Sequence, residues 1–198
     1  VSKEDRKRSN LYKSEFKRIK LKQKFKLDSE WIKTLNLKVK IEKIQSKNLP
    51  RTIQLLNKTN QLNLSTRRLT EKEFINWINI SSNKLWTIAA TDKFGDYGII
   101  GILSLSIKKE KTQLVDFILS CRVVGRDIEK VMIEFIKEYL KKKKIKSTNG
   151  KYLKTKKNSL LFETFKNLNL IDNKKYSFTI LSNQEKYNLS YIKVIKSF

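Results

Sequence analysis

The stretch LSCRVVGRDIE, residues 119–129, brings the only cysteine of the chain together with two arginines and one of its five glycines. An apolar run, LVDFILSC, leads into it. An i, i+3, i+4 stripe follows it through Ile128, Val131, Met132, Phe135, Ile136, Tyr139 and Leu140. That is a strand, a turn and a long helix whose stripe faces the core. The free N–H groups and dipole at such a helix start favour an anion. Gly125 allows close backbone approach, and Arg122 and Arg126 offer charge suited to phosphate oxygens. Cys121 beside them is a candidate nucleophile that accepts an acyl group by thioester exchange. The plainer reading is a free cysteine at a strand end, which usually serves as a small buried apolar residue. Asp127 is a candidate helix cap, and Glu129, one turn on, is placed to pair with Arg126.

A second polar run follows the helix LPRTIQLLNKTNQL. Asn60, Asn63 and Thr66 there suit a ligand-lining loop, and turn chemistry explains them as well. The elements that must position these residues can be read along the chain. A basic N-terminal segment carries Tyr12, Phe16 and Ile19 at helical spacing, and reads either as a helix packed on the domain or as a linker. Asp28 and Ser29 are candidate caps for a short helix, SEWIKTL. LNLKVKIEKI alternates as a half-buried strand. Pro50 sits in the first turn of the next helix, and Thr70 with Glu73 forms a capping box for TEKEFINWIN. KLWTIAATD, GIIGILSLSIKK and TQLVDFILSC are strands. Gly95, Gly98 and Gly101 mark a turn and a bulge, and KEK, residues 109–111, marks a tight reversal. Glu134 with Lys137, and Glu138 with Lys142, decorate the outer face of the long helix. STNGKYLKT is a turn and strand and NSLLFETFKNL a helix. KYSFTIL and YNLSYIKVI are a closing strand pair. The order predicts a mixed α/β (α+β) domain on one twisted, largely antiparallel sheet.

Composition narrows the possibilities. At 198 residues with 39% apolar content, the chain suits one domain, which buries about 70% of its unfolded surface. No apolar run reaches the roughly 20 residues needed to cross a bilayer, and the basic N-terminus has no apolar run behind it as a secretory signal would. One cysteine makes no internal disulfide, which fits a cytoplasmic protein. The absence of histidine removes the commonest metal ligand and general base, and no metal is expected. The net charge of +26 attracts polyanions, but it is carried mostly by Lys without the clustered Arg and aromatics of a nucleic-acid reader. Neither a specific nucleic-acid partner nor a membrane is expected. The first residue is Val, so a fragment or processed product is expected.

The spacing Arg122-x-x-Gly125 at a strand–helix junction resembles the cofactor loop of the GNAT acyltransferase superfamily, which holds the pyrophosphate of coenzyme A there. That loop ends in Gly or Ala where this chain has Asp127, a carboxylate that opposes a phosphate. Asn158, leading NSLLFETFKNLNL, resembles the Asn-led helix of the same superfamily. Four landmarks in order, EDRKRSNLYKSE, LNKTNQLNLSTRRLT, LSCRVVGRDIE and KYLKTKKN, resemble the C-terminal part of FkbH-like proteins of haloacid-dehalogenase (HAD) subfamily IIIC. On that resemblance Cys121 matches the Cys of a Ser-Cys-Arg-Val motif, and Arg122, Gly125, Arg126 and Glu129 match its continuation. Asn60, Asn63, Thr66 and Arg67 match a Thr-Asn-Gln-x-Asn-x-x-Thr-Arg-Arg segment. Thr155 and Asn158 match a Thr-x-x-Asn segment.

The resemblance implies residues 1–35 as a helical arm from a preceding HAD domain and 36–198 as a GNAT-like domain. It implies Cys121 as catalytic. Arg122, Gly125, Arg126 and Asn158 would bind phosphopantetheine or coenzyme A, and Asn60, Asn63, Thr66, Arg67, Glu129 and Thr155 would line the substrate site. The family loads a glyceryl-type acyl group onto the phosphopantetheine thiol of an acyl carrier protein. Such carriers are acidic, so a basic face would steer them. Two other functions fit the sequence: a non-catalytic carrier-binding module and an N-acetyltransferase using acetyl-coenzyme A.

Overall fold

The computed structural model describes residues 3–108, 111–171 and 176–197. The reversal expected at KEK lies largely outside them. In chain order the elements are α1 (Lys3–Lys22), α2 (Asp28–Lys33), β1 (Lys38–Lys43), α3 (Leu49–Lys58), α4 (Glu71–Ile78), β2 (Asn83–Asp92), β3 (Gly95–Lys108), β4 (Lys111–Leu119), α5 (Ile128–Lys142), β5 (Ser147–Lys151), α6 (Ser159–Asn167), β6 (Ser177–Leu181) and β7 (Lys193–Lys196). The order of strands and helices from β1 onward is the one read from the sequence.

The strands form one seven-stranded sheet, β6-β5-β4-β3-β2-β1-β7. Pairing is antiparallel except at β1–β7 and β4–β5. The closing strands are therefore not a pair. β6 lies on β5 at one edge and β7 on β1 at the other. Their alternation specifies a half-buried strand but carries nothing about its neighbour. The β2–β3 register shifts between Ile88 and Ala89 and between Ala90 and Thr91, opposite Gly101 and Gly98, as expected of a bulge.

Alternation along the central strands sends side chains to two layers. Leu85, Ile102 and Ile118 pack with Leu55 and Leu56 of α3 and Phe74 of α4. Trp86, Leu103 and Phe117 face the stripe of α5 and the apolar side of α6. Trp86 meets Phe135 and Tyr139 edge-on at 5.2 and 4.7 Å, and Phe117 meets Phe165 at 5.0 Å. The capping box at Thr70 and Glu73 is present. The helix cap expected at Asp28 or Ser29 is not made. α2 starts at Asp28 itself, after Leu27.

One pair expected on the outer face changes sides. Glu134 and Lys137 pair at 2.7 Å, but both are buried, because the chain after β6 covers them. Lys137 also donates to the Glu185 carbonyl and Glu134 accepts from the Tyr187 N–H. Glu138 pairs with Lys196 at 2.6 Å.

The arm is docked at its C-terminal half. Buried Arg18 grips Asp92 with Nε and Nη2 at 2.7 and 2.8 Å, and its guanidinium lies 4.1 Å from the centre of the Tyr97 ring. Burial alone would push the Asp92 carboxyl up. Hydrogen bonds from Arg18, Tyr97 and the Phe94 N–H outweigh it and hold that carboxyl below the usual range. Ser14 donates to the Phe94 carbonyl at 2.9 Å. Tyr12, Phe16 and Ile19, the spaced apolar residues, are exposed.

Candidate functional site

β4 and β5 run side by side only at Gln113–Asn149 and Leu114–Gly150, then part. Backbone groups on that edge of β4 must find other partners. The loop after α3 supplies them: the Leu64 N–H bonds to the Phe117 carbonyl at 3.1 Å, and the Leu119 N–H to the Leu62 carbonyl at 3.0 Å. Residues 62–64 thus fill the opening between the two strands.

The polar residues after α3 build that plug. Asn63 is fully buried, donates to the Thr59 carbonyl and accepts from the Thr66 N–H. Thr66 has φ +50°, a costly conformation for a β-branched residue. The neighbouring contacts hold it there. Arg67 bonds the buried Asp116 carboxylate through Nε at 2.9 Å and Nη2 at 2.5 Å, and its guanidinium lies 4.3 Å from the centre of the Trp77 ring. Ser65 and Ser104 also donate to Asp116. Asn60 is exposed and accepts from Arg68. Asp116 went unread in the sequence. A lone acidic residue at an inward position of an apolar strand was the available signal.

Asn158 sits at the start of α6 without capping it. Its buried amide accepts from Tyr152 and the Thr155 N–H, both at 2.8 Å, and donates to the carbonyls of Leu153 and Asn63. It ties the β5–α6 connection to the plug, and all four of its bonds are internal. Thr155 is exposed, and its hydroxyl accepts from the Lys157 N–H.

At the end of β4 the Ser120 N–H bonds to the Ile100 carbonyl, and a single 3-10 turn follows at Cys121–Val123. Gly125 has φ +71° with open space around it, so its requirement is conformational. Cys121 is exposed, which removes the reading of a small buried core residue. Arg122 is exposed as well, with a long 3.4 Å contact to the Ser120 hydroxyl. Arg126 differs in its surroundings. It is buried, donates to the Arg122 carbonyl at 2.7 Å and pairs with Glu15 of α1 at 2.9 Å. Its expected pairing with Glu129 is therefore not made.

Asp127, at φ +57°, makes no capping bond. Its carboxylate accepts from the Tyr191 hydroxyl at 2.6 Å and pairs with Lys130 at 2.8 Å. Burial, then the bond to Asp127, pushes the Tyr191 phenol well up. Burial pushes the half-buried Glu129 carboxyl up too, with Asp127 adding a like charge. The start of α5 is thus faced by a carboxylate and has lost one of its two arginines to the arm. A phosphate fits poorly there.

Two cavities meet at Cys121 and Arg122. One, about 680 Å³, lies under the arm between Tyr12, Glu15, Trp31, Tyr97 and Arg126. The other, a groove of about 770 Å³, runs between α3 and the β5–α6 connection and is lined by Arg51, Lys58, Lys156 and Lys157. Among the described residues there is no cluster of metal-ligating side chains, and no helix is long and apolar enough to cross a membrane.

No family model and no curated protein matches the sequence. Solved structures do match in shape. A domain from Methanocaldococcus jannaschii has a TM-score of 0.56 at 15% identity, covering 73% of this chain and 99% of its own. The PaiA N-acetyltransferase from Thermoplasma acidophilum, solved with coenzyme A, has a TM-score of 0.54 at 15% identity, covering 72% and 98%. A spermidine N-acetyltransferase, SpeG, from Vibrio cholerae has a TM-score of 0.52 at 11% identity, covering 73% and 94%. With its seven-stranded sheet flanked by helices, the chain has the mixed α/β fold of the GNAT-type acetyltransferases.

Proposed function

We propose that this domain exchanges acyl groups between thiols, loading Cys121 and passing the acyl group to a phosphopantetheine thiol on an acidic carrier protein. The observation that carries this reading is the placement of Cys121: its exposed side chain lines both an aromatic pocket and a cationic groove. The pocket offers Tyr12, Trp31 and Tyr97 to an acyl group, and the groove offers charge to a phosphorylated arm. The Cys121 sulfur attacks the donor's acyl carbonyl carbon. The donor's leaving group departs and takes up the proton released by the thiol. The carrier thiol then attacks the Cys121 thioester, receives the acyl group and returns its proton to the cysteine sulfur. The net charge of +26 supports an acidic partner. A preceding HAD domain remains part of this reading through the FkbH-like resemblance, and a cytoplasmic setting through the single cysteine.

The fold also supports a second reading, N-acetylation from acetyl-coenzyme A. Two observations weigh against it. The one carboxylate lining the pocket, Glu15, already holds Arg126 and Arg18, which leaves it poorly placed to accept a proton from an amine. The groove and pocket are rich in Arg and Lys, which repel a polyamine. Intact-mass spectrometry of the chain with an acyl donor and a carrier protein separates the readings. Thiol exchange gives an acyl adduct on Cys121 that passes to the carrier, and Cys121→Ser abolishes it. Loading that continues in Cys121→Ser removes the nucleophile. Carrier binding without any adduct makes the domain a docking module, and acetylation of an amine makes it an N-acetyltransferase.

A further inference from the structure

We infer that the groove between α3 and the β5–α6 connection is an anion site that holds the phosphate of a pantetheine-type arm, with Arg51, Lys58, Arg122, Lys156 and Lys157 as its ligands. The inference rests on the thiol-exchange reading for the identity of the arm, and it moves the phosphate away from the start of α5.

Charge placement carries the argument. Five cations converge on one groove of about 770 Å³, and no carboxylate lines it. None of the five belongs to an ion pair among the described residues. The contrast with the rest of the site is sharp: Arg18, Arg67 and Arg126 are each paired with a carboxylate. Arg51 is held on one side by the Ile99 carbonyl and by Gln54. Burial, then the charge of Arg122, lowers its affinity for its proton. Like charges held this close repel one another, and a bound phosphate relieves that repulsion while accepting charge-assisted hydrogen bonds. The start of α5 offers the reverse, with Asp127 facing it and Arg126 committed to Glu15. Cys121 and Arg122 line the groove and the aromatic pocket alike, so an arm anchored in the groove has its thiol end directed past Cys121.

The test is titration calorimetry of the chain with phosphopantetheine, pantetheine and coenzyme A. Phosphopantetheine binds at least about tenfold tighter than pantetheine, as the loss of one or two charge-assisted bonds requires. Lys156→Ala/Lys157→Ala removes most of that difference, and so does Arg51→Ala. Lys141→Ala/Lys143→Ala, an equal change of charge at the far end of α5, leaves it intact. Coenzyme A binding more tightly than phosphopantetheine assigns the site to a free diphosphate, and the reverse assigns it to a carrier-borne arm. Equal binding of pantetheine and phosphopantetheine overturns the inference. So does an equal effect of the two lysine pairs, or competition by a short single-stranded oligonucleotide at the same affinity. Phosphate-dependent binding without acyl transfer keeps the groove and removes the Cys121 chemistry. Acyl transfer indifferent to the phosphate does the opposite.

Discussion

Arg67→Ala is the most informative single perturbation of the plug. Asp116 is fully buried and accepts from Arg67, Ser65 and Ser104. Removing the guanidinium leaves a carboxylate in the core with two hydroxyl donors and no counter-charge. Breaking one side of a buried ion pair costs about 3–5 kcal/mol. In a chain of this length each kcal/mol lowers Tm by roughly 2–4 °C, so the expected loss is roughly 6–20 °C. Arg67 also anchors the chain next to Thr66, whose left-handed conformation costs about 1–3 kcal/mol and persists only while its surroundings enforce it. The damage should therefore appear first at residues 62–64. Urea unfolding measures the global loss, and hydrogen exchange at the Leu64 and Leu119 amides reports on the two bonds that seat the plug on β4. Arg67→Met with Asp116→Leu removes both charges together and recovers much of the stability. A cost below about 1 kcal/mol for Arg67→Ala, or a double variant no more stable than the single one, refutes the reasoning.

Other outcomes follow from the same contacts. Gly150→Ala drives a Cβ into the ring of Phe178, which itself meets Phe165 at 5.1 Å; an overpacking cost of about 1–3 kcal/mol is expected in urea unfolding, relieved by Phe178→Leu. Glu129→Gln raises Tm at pH 7, because a carboxyl pushed up on folding disfavours the folded state once ionised; the gain disappears as pH falls below the unfolded-state value of about 4.3. Asp92 behaves oppositely. Its depressed carboxyl contributes stability above about pH 4 that is lost as pH falls through the folded-state value, and Arg18→Leu flattens that acid limb in a pH series of melts. Raising salt from about 20 to 500 mM raises Tm by screening a net charge of +26, while it weakens any phosphate bound in the groove.

The fold was legible because its cues are local. The stripe from Ile128 to Leu140, the capping box at Thr70 and the glycines of the β2–β3 hairpin each specify an element from a few neighbouring residues. What the sequence did not show depends on contacts between distant segments. Glu15 and Arg126 are 111 positions apart, and Asp116 and Arg67 are 49 apart. A charge beside a helix start looks the same whether it faces solvent or folds back under an arm. The two arginines of CRVVGRD thus read as one phosphate clamp, while the structure leaves Arg122 exposed and buries Arg126 against Glu15. Asn63, Thr66, Arg67 and Asn158 stand out in sequence because their types are demanding, and in the structure they meet those demands within the chain.

That division explains how a chain with 45 basic and 19 acidic residues can still mark a site by charge. Four of its carboxylates are placed where the fold buries a cation or a donor: Asp92 under the arm, Asp116 behind the plug, Asp127 against Tyr191, and Glu134 beneath the C-terminal segment. Each neutralises a cation or satisfies a donor that folding buries, as buried polar groups require. Excess lysine spread evenly over a surface carries no address. Five cations left without carboxylates in one concave groove, with the only thiol of the chain on its wall, do. The acidic residues thus define the site by where they are absent, which residue counts alone do not reveal.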